Sequence, residues 1–294
     1  MRARDLQWLI VGAGGMLATD LEQELTLRGA RVRALPKEAL DITDPASIAR
    51  GIVSADVVVN CAAYTAVDAA EEHEDEAMAI NGTGPLLLAQ ACMEAGIRLV
   101  HVSTDYVFAG DATAPYAEDD APDPRSAYGR TKAEGERGVM AAGGSYLIVR
   151  TAWLYGAAGP CFPRTIAAAG AQRGALTVVD DQVGQPTWTR DVARTLIALV
   201  EAKAPAGIYH ATSSGQASWF EFAREVCASA GLGDIVSPIP STELSRPAPR
   251  PAWSVLGHEA SEALGVPSIG HWRERWHAAA AEVLGLASHE PQGD

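Results

Sequence analysis

The alternation of short apolar segments with helical patterns is the feature of this 294-residue chain that most limits its fold. Five segments are predicted as strands: Gln7 to Val11, Arg31 to Leu35, Asp56 to Asn60, Arg98 to Ser103 and Tyr146 to Thr151. The third contains Val57-Val58-Val59, and a wholly apolar strand suits a parallel sheet that is buried on both faces. Since helical patterns separate the strands, the β–α–β order predicts an α/β fold with a Rossmann-type doubly wound parallel sheet.

A glycine-rich turn directly follows the first predicted strand. It reads Gly12-Ala13-Gly14-Gly15-Met16-Leu17-Ala18 and opens the first predicted helix. Glycines at such a turn let backbone N–H groups approach a pyrophosphate, and the helix N-terminus adds a favourable partial charge. The spacing differs from the G-x-G-x-x-G of many dehydrogenases, because Ala18 occupies the third small position. A strand-to-helix turn without a ligand stays open as the alternative on this feature alone.

The end of the second predicted strand bears on the choice of nicotinamide cofactor. It reads Ala34-Leu35-Pro36-Lys37 and lacks the acidic residue that would bind the ribose 2′-hydroxyl of NAD. Lys37 therefore favours NADPH, with NADH as the alternative, although an ordinary solvated lysine explains it nearly as well. Asp41 and Ile42 follow where a segment in contact with adenine is expected.

Tyr128 and Lys132 are four residues apart, so a helix would place both on one face. An ammonium beside a phenol favours the phenolate, and we expect Lys132 to lower the pKa of Tyr128 from its usual value. Such a tyrosine exchanges a proton with a carbonyl or alcohol oxygen. Thr104, at the end of the fourth predicted strand, can offer a hydroxyl to the same oxygen. A packed tyrosine with a surface lysine is the alternative for the pair taken alone.

This order of motifs resembles the extended short-chain dehydrogenase/reductases, and the local sequence motifs are similar to those of the dTDP-4-dehydrorhamnose reductase family. Six segments carry the resemblance: 60–68, 103–108, 128–132, 150–156, 180–187 and 246–256. It extends over almost the whole chain apart from the tail. The resemblance implies an oxidoreductase of nucleotide-sugar biosynthesis that reduces the 4-keto group of dTDP-4-dehydro-6-deoxy-L-mannose with NADPH to give dTDP-L-rhamnose.

The resemblance also implies roles for individual residues. Those implied to bind the cofactor are Gly12, Gly14, Gly15, Met16, Leu17, Ala62, Ala63, Tyr64 and Thr65. Tyr128 is implied to be the proton donor, and Lys132 to orient Tyr128 and the nicotinamide ribose. Thr104, Asp105 and Trp153 are implied to contact the sugar. An aromatic face also suits a sugar ring in its own right, whereas a core tryptophan is the plain alternative for Trp153.

Departures from the family pattern keep alternatives open. Trp253 and His258 fall where the family often has other residues, so a 4-ketoreductase for another dTDP-deoxysugar is one alternative. A second is a regulatory subunit similar to that of methionine adenosyltransferase, which the retention of Thr104, Tyr128 and Lys132 disfavours. Some members of the family bind magnesium at a dimer interface. Asp20 matches one such position but Arg190 replaces another, so no metal site is predicted.

The charge balance excludes several classes of partner. The chain has 37 acidic and 23 basic residues and a formal net charge of −14, which opposes binding to nucleic acid or anionic membranes. Its four cysteines lack metal-ligand spacing and suit free thiols of a reducing cytoplasm. We therefore expect a cytoplasmic enzyme whose partner is a dTDP-linked keto sugar, with a homodimer compatible with the sequence.

The alternation of predicted strands and helices becomes less regular after Tyr155, which predicts a two-part organisation. Residues 1–152, with 189–212 returning, are predicted as an NAD(P)-binding Rossmann domain. Residues 153–188 and 213–287 are predicted as a smaller C-terminal substrate-binding lobe, followed by a disordered tail at 288–294. The stretch from Ser237 to Pro251, rich in Pro and Ser, is predicted as a surface or substrate-lining loop.

Overall fold

The structure of this protein, a computed structural model, describes residues 2–286. Its strands are β1 Gln7–Val11, β2 Arg31–Leu35, β3 Val57–Asn60, β4 Arg98–Thr104, β5 Tyr146–Thr151, β6 Leu154–Tyr155, β7 Leu176–Val179, β8 Val183–Gly184, β9 Thr187–Trp188, β10 Gly207–His210, β11 Ala217–Ser218 and β12 Val236–Ile239. Its α-helices are α1 Met16–Leu27, α2 Pro45–Gly51, α3 Glu74–Met78, α4 Gly84–Ala95, α5 Ala127–Ala142, α6 Phe162–Arg173, α7 Thr189–Glu201, α8 Trp219–Ser229, α9 Glu259–Ala263 and α10 Trp272–Leu284.

A six-stranded parallel sheet forms the centre of the molecule. Its strand order is β10-β5-β4-β3-β1-β2, so the chain moves outward in one direction from β1 to β2 and then in the other direction from β3. The order reverses between β1 and β3, and open α/β sheets bind ligands at the carboxyl ends of the strands beside such a switch point. The fold is therefore the predicted Rossmann-type α/β sheet.

Apolar side chains cover both faces of this sheet. One face packs against α1 and α7 through residues such as Ile10, Leu21 and Leu196. The opposite face packs against α2, α4 and α5 through residues such as Val58 and Leu88. Alternate side chains of each strand therefore enter one core or the other, which explains why Val57–Asn60 is buried at every position.

The C-terminal part has a separate aromatic core and only small sheets. Three pairs of short strands occur here: β6 with β9, β7 with β12, and β8 with β11. Tyr155, Phe222, Trp272 and Trp276 are fully buried together between α6, α8 and α10. Large aromatic side chains supply much apolar area per residue, so a small lobe with little sheet can still build a core.

The five predicted strands form with bounds that agree to within one residue, but other features differ. The sequence pattern predicts one long helix from about Glu74 to Ala95, whereas a π-helical stretch, Ala79–Thr83, separates α3 from α4 there. The predicted loop from Ser237 to Pro251 is wrong at its start, because β12 pairs in parallel with β7 there. Helix α9 was not predicted.

The division of the chain into two parts at 152/153, 188/189 and 212/213 stays a prediction, and the predicted tail at 288–294 lies outside the described residues. Within residues 2–286, no helix combines the length and apolar character that a membrane span needs.

Candidate active site

The glycine-rich turn lies at the switch point between β1 and β3. Gly12 and Gly14 have φ values of +86° and +89°, a region that favours glycine. A Cβ at Gly12 would lie 2.6 Å from the backbone N of Ala62, so the turn after β1 packs directly on the turn after β3. The first-turn N–H groups of the 12-residue helix α1 follow at Met16 and Leu17. This arrangement can hold a pyrophosphate.

The segment after β2 divides into an exposed part and a buried part. Lys37 is exposed beyond the strand end. Asp41 accepts hydrogen bonds from the N–H and hydroxyl of Thr43 at 2.8 and 2.7 Å, which lower its pKa, and Lys37 adds to this effect. Ile42 is buried and packs beside Gly84 of α4. Lys37 is thus available to an anion, whereas the Asp41 carboxylate already has a partner in Thr43.

Asn81 fixes the segment from Ala62 to Thr65, and sequence reasoning missed it. Its Oδ1 accepts from the N–H of Tyr64 at 2.8 Å, and its Nδ2 donates to the carbonyl of Tyr64 at 3.0 Å. The same Nδ2 donates to the hydroxyl of Thr131 on α5 at 3.2 Å. Asn81 lies in the π-helical stretch, a distortion that recurs at functional sites. It therefore ties the predicted cofactor-lining segment to the helix of Tyr128 and Lys132.

Thr104, Tyr128 and Lys132 come together at the carboxyl end of β4. Thr104 is the last residue of β4, and Tyr128 and Lys132 lie on one face of α5, which packs against that strand. The Thr104 hydroxyl donates to Oδ1 of Asp105 at 2.9 Å, and it lies near enough to the Tyr128 phenol to affect the pKa of that group. Nζ of Lys132 donates to the carbonyl of Val102 at 2.6 Å.

The expectation that Lys132 lowers the pKa of Tyr128 is wrong for this structure. Burial raises the pKa of Tyr128 to about 12, with Thr104 opposing the rise through its hydrogen bond. Burial also lowers the pKa of Lys132 to about 8. Removal of both groups from water outweighs the attraction that the i, i+4 spacing suggested, because each loses hydration in its charged form. Tyr128 is therefore a phenol and Lys132 is mostly an ammonium at neutral pH.

Asp105 is a buried carboxyl group beside these hydroxyls. Burial raises its pKa to about 6, and the side chains of Ser254 and Thr104 oppose the rise. Its Oδ2 is buried and has no hydrogen-bond partner among residues 2–286.

Trp153 is held in an unusual backbone conformation by its neighbours. Its φ of +47° is rare for a non-glycine residue, and its ring stacks on Trp219 with centroids 3.4 Å apart and planes 3° apart. Gly184 also packs against the indole of Trp153, and a Cβ on Gly184 would come within 2.5 Å of that ring. Such strain persists where surrounding contacts fix it, often at a functional site.

A cleft of about 720 Å³ opens between Tyr106 and the C-terminal part. Phe162 and Trp219 form an aromatic wall, and their ring centroids are 4.5 Å apart. Arg246 and Arg250 lie at the cleft on the opposite segment. Sequence reasoning included segment 246–256 in the resemblance but assigned these arginines no role, and it missed both aromatic residues.

Asp68 links the cleft to the segment that lines the predicted cofactor site. Its two carboxylate oxygens each accept from Arg250 at 2.8 Å, and Oδ1 also accepts from the N–H of Ala248 at 3.2 Å. Arg246 adds a longer contact at 3.7 Å. Arg250 holds the pKa of Asp68 below its usual range through these hydrogen bonds.

A single family model connects all these segments. The model described as the RmlD substrate binding domain matches residues 6–284 of the chain. This chain belongs to the RmlD substrate-binding domain family. Its match includes the glycine turn, the group formed by Thr104, Tyr128 and Lys132, and the residues of the cleft.

Members of the RmlD family resemble the chain over nearly its whole length. A dTDP-4-dehydrorhamnose reductase of Streptomyces griseus is 48% identical over 295 residues, covering 98% of this chain and 97% of that protein. A Streptomyces antibioticus protein named "Probable dTDP-4,6-dihydroxy-2-methyloxan-3-one 4-ketoreductase" is 45% identical over 296 residues, covering 97% and 98%. The crystal structure of a dTDP-4-dehydrorhamnose reductase from Bacillus anthracis in complex with NADP has a TM-score of 0.91 and 34% identity, covering 96% of this chain and 100% of that chain.

In this RmlD family member, two departures from the family pattern lie on the segment that follows the cleft residue Arg250. The backbone N–H of Trp253 donates to the carbonyl of Gly110 at 2.9 Å, while its indole Nε1 is buried and has no partner among residues 2–286. Nε2 of His258 lies 2.8 Å from the Thr212 hydroxyl, and burial lowers the pKa of this histidine. Both residues are half-buried.

Asp20 and Arg190 occupy the positions considered for magnesium. The buried Asp20 carboxylate accepts from the Thr189 hydroxyl, and burial raises its pKa. Arg190 pairs with Glu282 at 2.7 Å and lies over the ring of Trp188. The absence of a magnesium site stays a prediction.

Proposed function

We propose that this protein reduces the 4-keto group of dTDP-4-dehydrorhamnose with NADPH and so forms dTDP-L-rhamnose. The observation that carries this proposal is the meeting of Thr104, Tyr128 and Lys132 at the carboxyl end of β4, beside the glycine turn at the switch point of the sheet. Membership of a family with reductases of this substrate supports it. So does the likeness to a relative in complex with NADP.

The residues at the first βα turn fit a dinucleotide. Gly12 lets the turn after β1 pack on the backbone of Ala62, Gly14 has a left-handed backbone with open space at its Cβ position, and α1 begins at Met16. When bound, the nicotinamide cofactor supplies a hydride to the carbonyl carbon. Lys37 would contact the 2′-phosphate of NADPH, and Ala62 to Thr65 would line the cofactor. Residues 1–152 with 189–212 would form the NAD(P)-binding domain, and residues 153–188 with 213–287 the substrate-binding lobe.

The protonation states suit reduction of a ketone. Because the pKa of Tyr128 is raised to about 12, its phenol keeps its proton until negative charge develops on the substrate oxygen. Tyr128 then donates that proton to the oxygen. The Thr104 hydroxyl stabilises the developing charge through a hydrogen bond. The Lys132 ammonium favours the tyrosinate that remains.

The cleft provides for the rest of a sugar nucleotide. Asp105 and Trp153 would hold the deoxysugar through a hydroxyl group and an aromatic face. Arg246 and Arg250 would face the diphosphate, for which guanidinium groups are well suited. Phe162 and Trp219 would stack with the pyrimidine ring. This placement rests on one cleft that is lined by Tyr106, by both arginines and by the aromatic wall of Phe162 and Trp219.

Steady-state assay of Tyr128→Phe tests the proposal. We expect turnover with dTDP-4-dehydrorhamnose and NADPH to fall by about 100- to 10,000-fold, the range typical of general acid catalysis. Binding of NADP should remain within a few fold of the wild type. Tyr146→Phe is the matched control, because Tyr146 is the first residue of β5 and the proposed active site lies at the carboxyl ends of the strands. It should keep full turnover. Near-normal turnover of Tyr128→Phe would overturn the assignment of the proton donor.

A second candidate is the reduction of another dTDP-linked deoxyketosugar. The 45% identity to the Streptomyces antibioticus protein named as a 4-ketoreductase of another dTDP-linked sugar supports it, as does Trp253, which differs from the usual family residue. Assay of the purified protein with a panel of dTDP-keto sugars separates the two candidates by their kcat/KM values. Absence of NADPH oxidation with every sugar would overturn both and favour a non-catalytic binding role.

A further inference from the structure

A completely buried ion pair lies one helical turn beyond Lys132. Glu136 and Arg150 each have no exposed surface. Nε of Arg150 donates to Oε1 of Glu136 at 3.0 Å, and Nη2 donates to Oε2 at 2.7 Å. Isolated buried charges are costly, and even a well-paired one is often no more stable than an apolar substitute. A pair of this kind beneath the catalytic helix therefore calls for a reason other than stability.

Arg150 is fixed on every side, so it holds Glu136 in one position. Its guanidinium lies over the ring of Phe108 at 4.8 Å, and Phe108 stacks on Tyr116 with centroids 4.2 Å apart. Nη1 of Arg150 donates to the carbonyl of Glu118 at 3.3 Å. The Glu136 carboxylate consequently has a defined orientation on the face of α5 that also carries Lys132, since residues four apart on a helix are neighbours.

Other titratable groups around Lys132 are uncharged in the neutral to mildly alkaline range. Cys61 at the end of β3 acts on Lys132, but burial raises the pKa of its thiol to about 12. His101 on β4 also faces Lys132, and burial lowers the pKa of its imidazole well below the usual value. The pKa of Tyr128 on α5 is raised to about 12, and the Asp105 carboxylate acts on Tyr128.

Acidic groups on the neighbouring segment belong to a different partner. Glu74 on α3 accepts from Nε and Nη2 of Arg130 at 2.9 and 2.8 Å, and Glu71 contacts the same guanidinium at 3.9 Å. Glu136 is thus the carboxylate that opposes the loss of charge from buried Lys132, and its effect on the pKa of Lys132 is upward.

We propose that Glu136, oriented by Arg150, is a positioning residue that keeps the buried Lys132 in its ammonium form during reduction. This inference rests on the proposed function only where it concerns catalysis, because the charge of Lys132 can be measured directly. The carboxylate compensates for burial, so the fold can remove the ammonium from water without losing its proton. Arg150 prevents Glu136 from forming a direct ion pair that would draw Lys132 away from Val102 and the active site.

Nuclear magnetic resonance of the full chain labelled at the lysine Cε carbons tests this proposal. The chain contains three lysines, Lys37, Lys132 and Lys203, so three signals can be assigned with Lys37→Arg and Lys203→Arg variants. We expect the titration midpoint of Lys132 to fall by about one to three pH units in Glu136→Gln, the usual effect of losing a nearby opposite charge. Lys37 and Lys203 should titrate as in the wild type and serve as internal references. An unchanged Lys132 midpoint would overturn the proposal.

Two further variants distinguish an effect of the Glu136 charge on Lys132 from a general loss of stability. Asp191→Asn breaks another largely buried pair, in which Arg275 donates to Asp191 at 2.7 and 2.9 Å between α7 and α10, and it should leave the Lys132 midpoint unchanged. If Glu136→Gln does not fold, the double variant Glu136→Leu with Arg150→Met removes both buried charges together, a change that cores tolerate. It should show a smaller downward shift than Glu136→Gln, because the positive charge of Arg150 is removed together with the carboxylate, and a wild-type midpoint there would overturn the proposal.

The dependence of turnover on pH gives an independent measurement. Lys132 must be protonated to act, so activity falls as pH rises through its pKa. In Glu136→Gln this alkaline fall should move to lower pH by about one unit or more, while Glu136→Asp should retain part of the wild-type profile. Absence of turnover in the wild type would overturn the proposed function, whereas the lysine titration would still decide the role of Glu136.

Discussion

The two sides of the active site are built in different ways. The cofactor side consists of turns at the carboxyl ends of adjacent strands in one six-stranded sheet, as at Gly12 and Ala62. The substrate side is assembled from segments far apart in the sequence, including Tyr106, Phe162 and Arg250, beside sheets of only two strands. Backbone geometry therefore determines the first side, whereas side-chain packing determines the second.

Substitution of Gly12 is the severest test of the cofactor side. Gly12→Ala should destabilise the fold by about 3 kcal/mol or more, because the methyl group would clash with Ala62 and the residue would be strained at a φ of +86°. Gly14→Ala is the matched control, since it shares the left-handed backbone but has open space at the Cβ position. It should cost only about 1 kcal/mol in urea unfolding. Equal losses would show that the close approach of the two turns is unimportant.

The Asp105 carboxyl, at the boundary of the two sides, should make stability depend on pH. Its pKa is raised from 3.8 to about 6, so the group stabilises the folded state below its unfolded pKa and loses that contribution as pH rises through 6. As pH rises from 4 to 8, the free energy of unfolding of Asp105→Asn should increase relative to that of the wild type by up to about 3 kcal/mol.

Urea unfolding at several pH values measures this difference. Asp68→Asn should show a pH dependence of opposite sign relative to the wild type. Arg250 lowers the pKa of Asp68, so the stabilisation from this carboxylate is lost as pH falls. A parallel pH dependence in wild type and Asp105→Asn would contradict the expectation.

Trp219→Ala tests whether side-chain packing builds the substrate side. It removes the indole that stacks on Trp153 at 3.4 Å and forms part of the cleft wall. We expect KM for the dTDP-sugar to rise by about tenfold, equivalent to about 1.4 kcal/mol, with NADPH affinity unchanged. Trp219→Phe should recover part of the loss. A matching decrease in NADPH affinity would show that the two sides are not independent.

Lys37→Met should have the smallest effect, because Lys37 is exposed. The ratio of kcat/KM for NADPH to that for NADH should fall by about fivefold, since an exposed charge pair contributes up to about 1 kcal/mol. Lys203→Met, also a lysine of the chain, is the control and should leave the ratio unchanged. An unchanged ratio in Lys37→Met would place recognition of the 2′-phosphate elsewhere.

The contrast between the two sides also explains what the sequence could predict. The ends of β1, β2 and β5 follow from local apolar patterns and turn residues, and those bounds are confirmed. The positions of Thr104, Tyr128 and Lys132 follow from the same patterns. The assigned roles of these residues, like those of the other predicted site residues, stay predictions.

The missed residues depend on contacts between distant segments. Asn81 reaches Tyr64 across 17 positions, and Trp219 reaches Trp153 across many more. The pKa of Tyr128 was predicted with the wrong sign because spacing along a helix says nothing of how deeply the helix is buried. Long-range packing and loss of hydration are properties of the assembled fold, so a local pattern cannot supply them.

The face-to-face contact of Trp153 and Trp219 gives the protein its own optical reporter. Electronic transitions of two indoles held 3.4 Å apart couple strongly, so their circular dichroism differs from that of two separate tryptophans. Entry of a ligand that shifts either ring would change this signal without any added dye. The packing of the substrate side, which is hardest to predict from sequence, can therefore be followed in solution by circular dichroism.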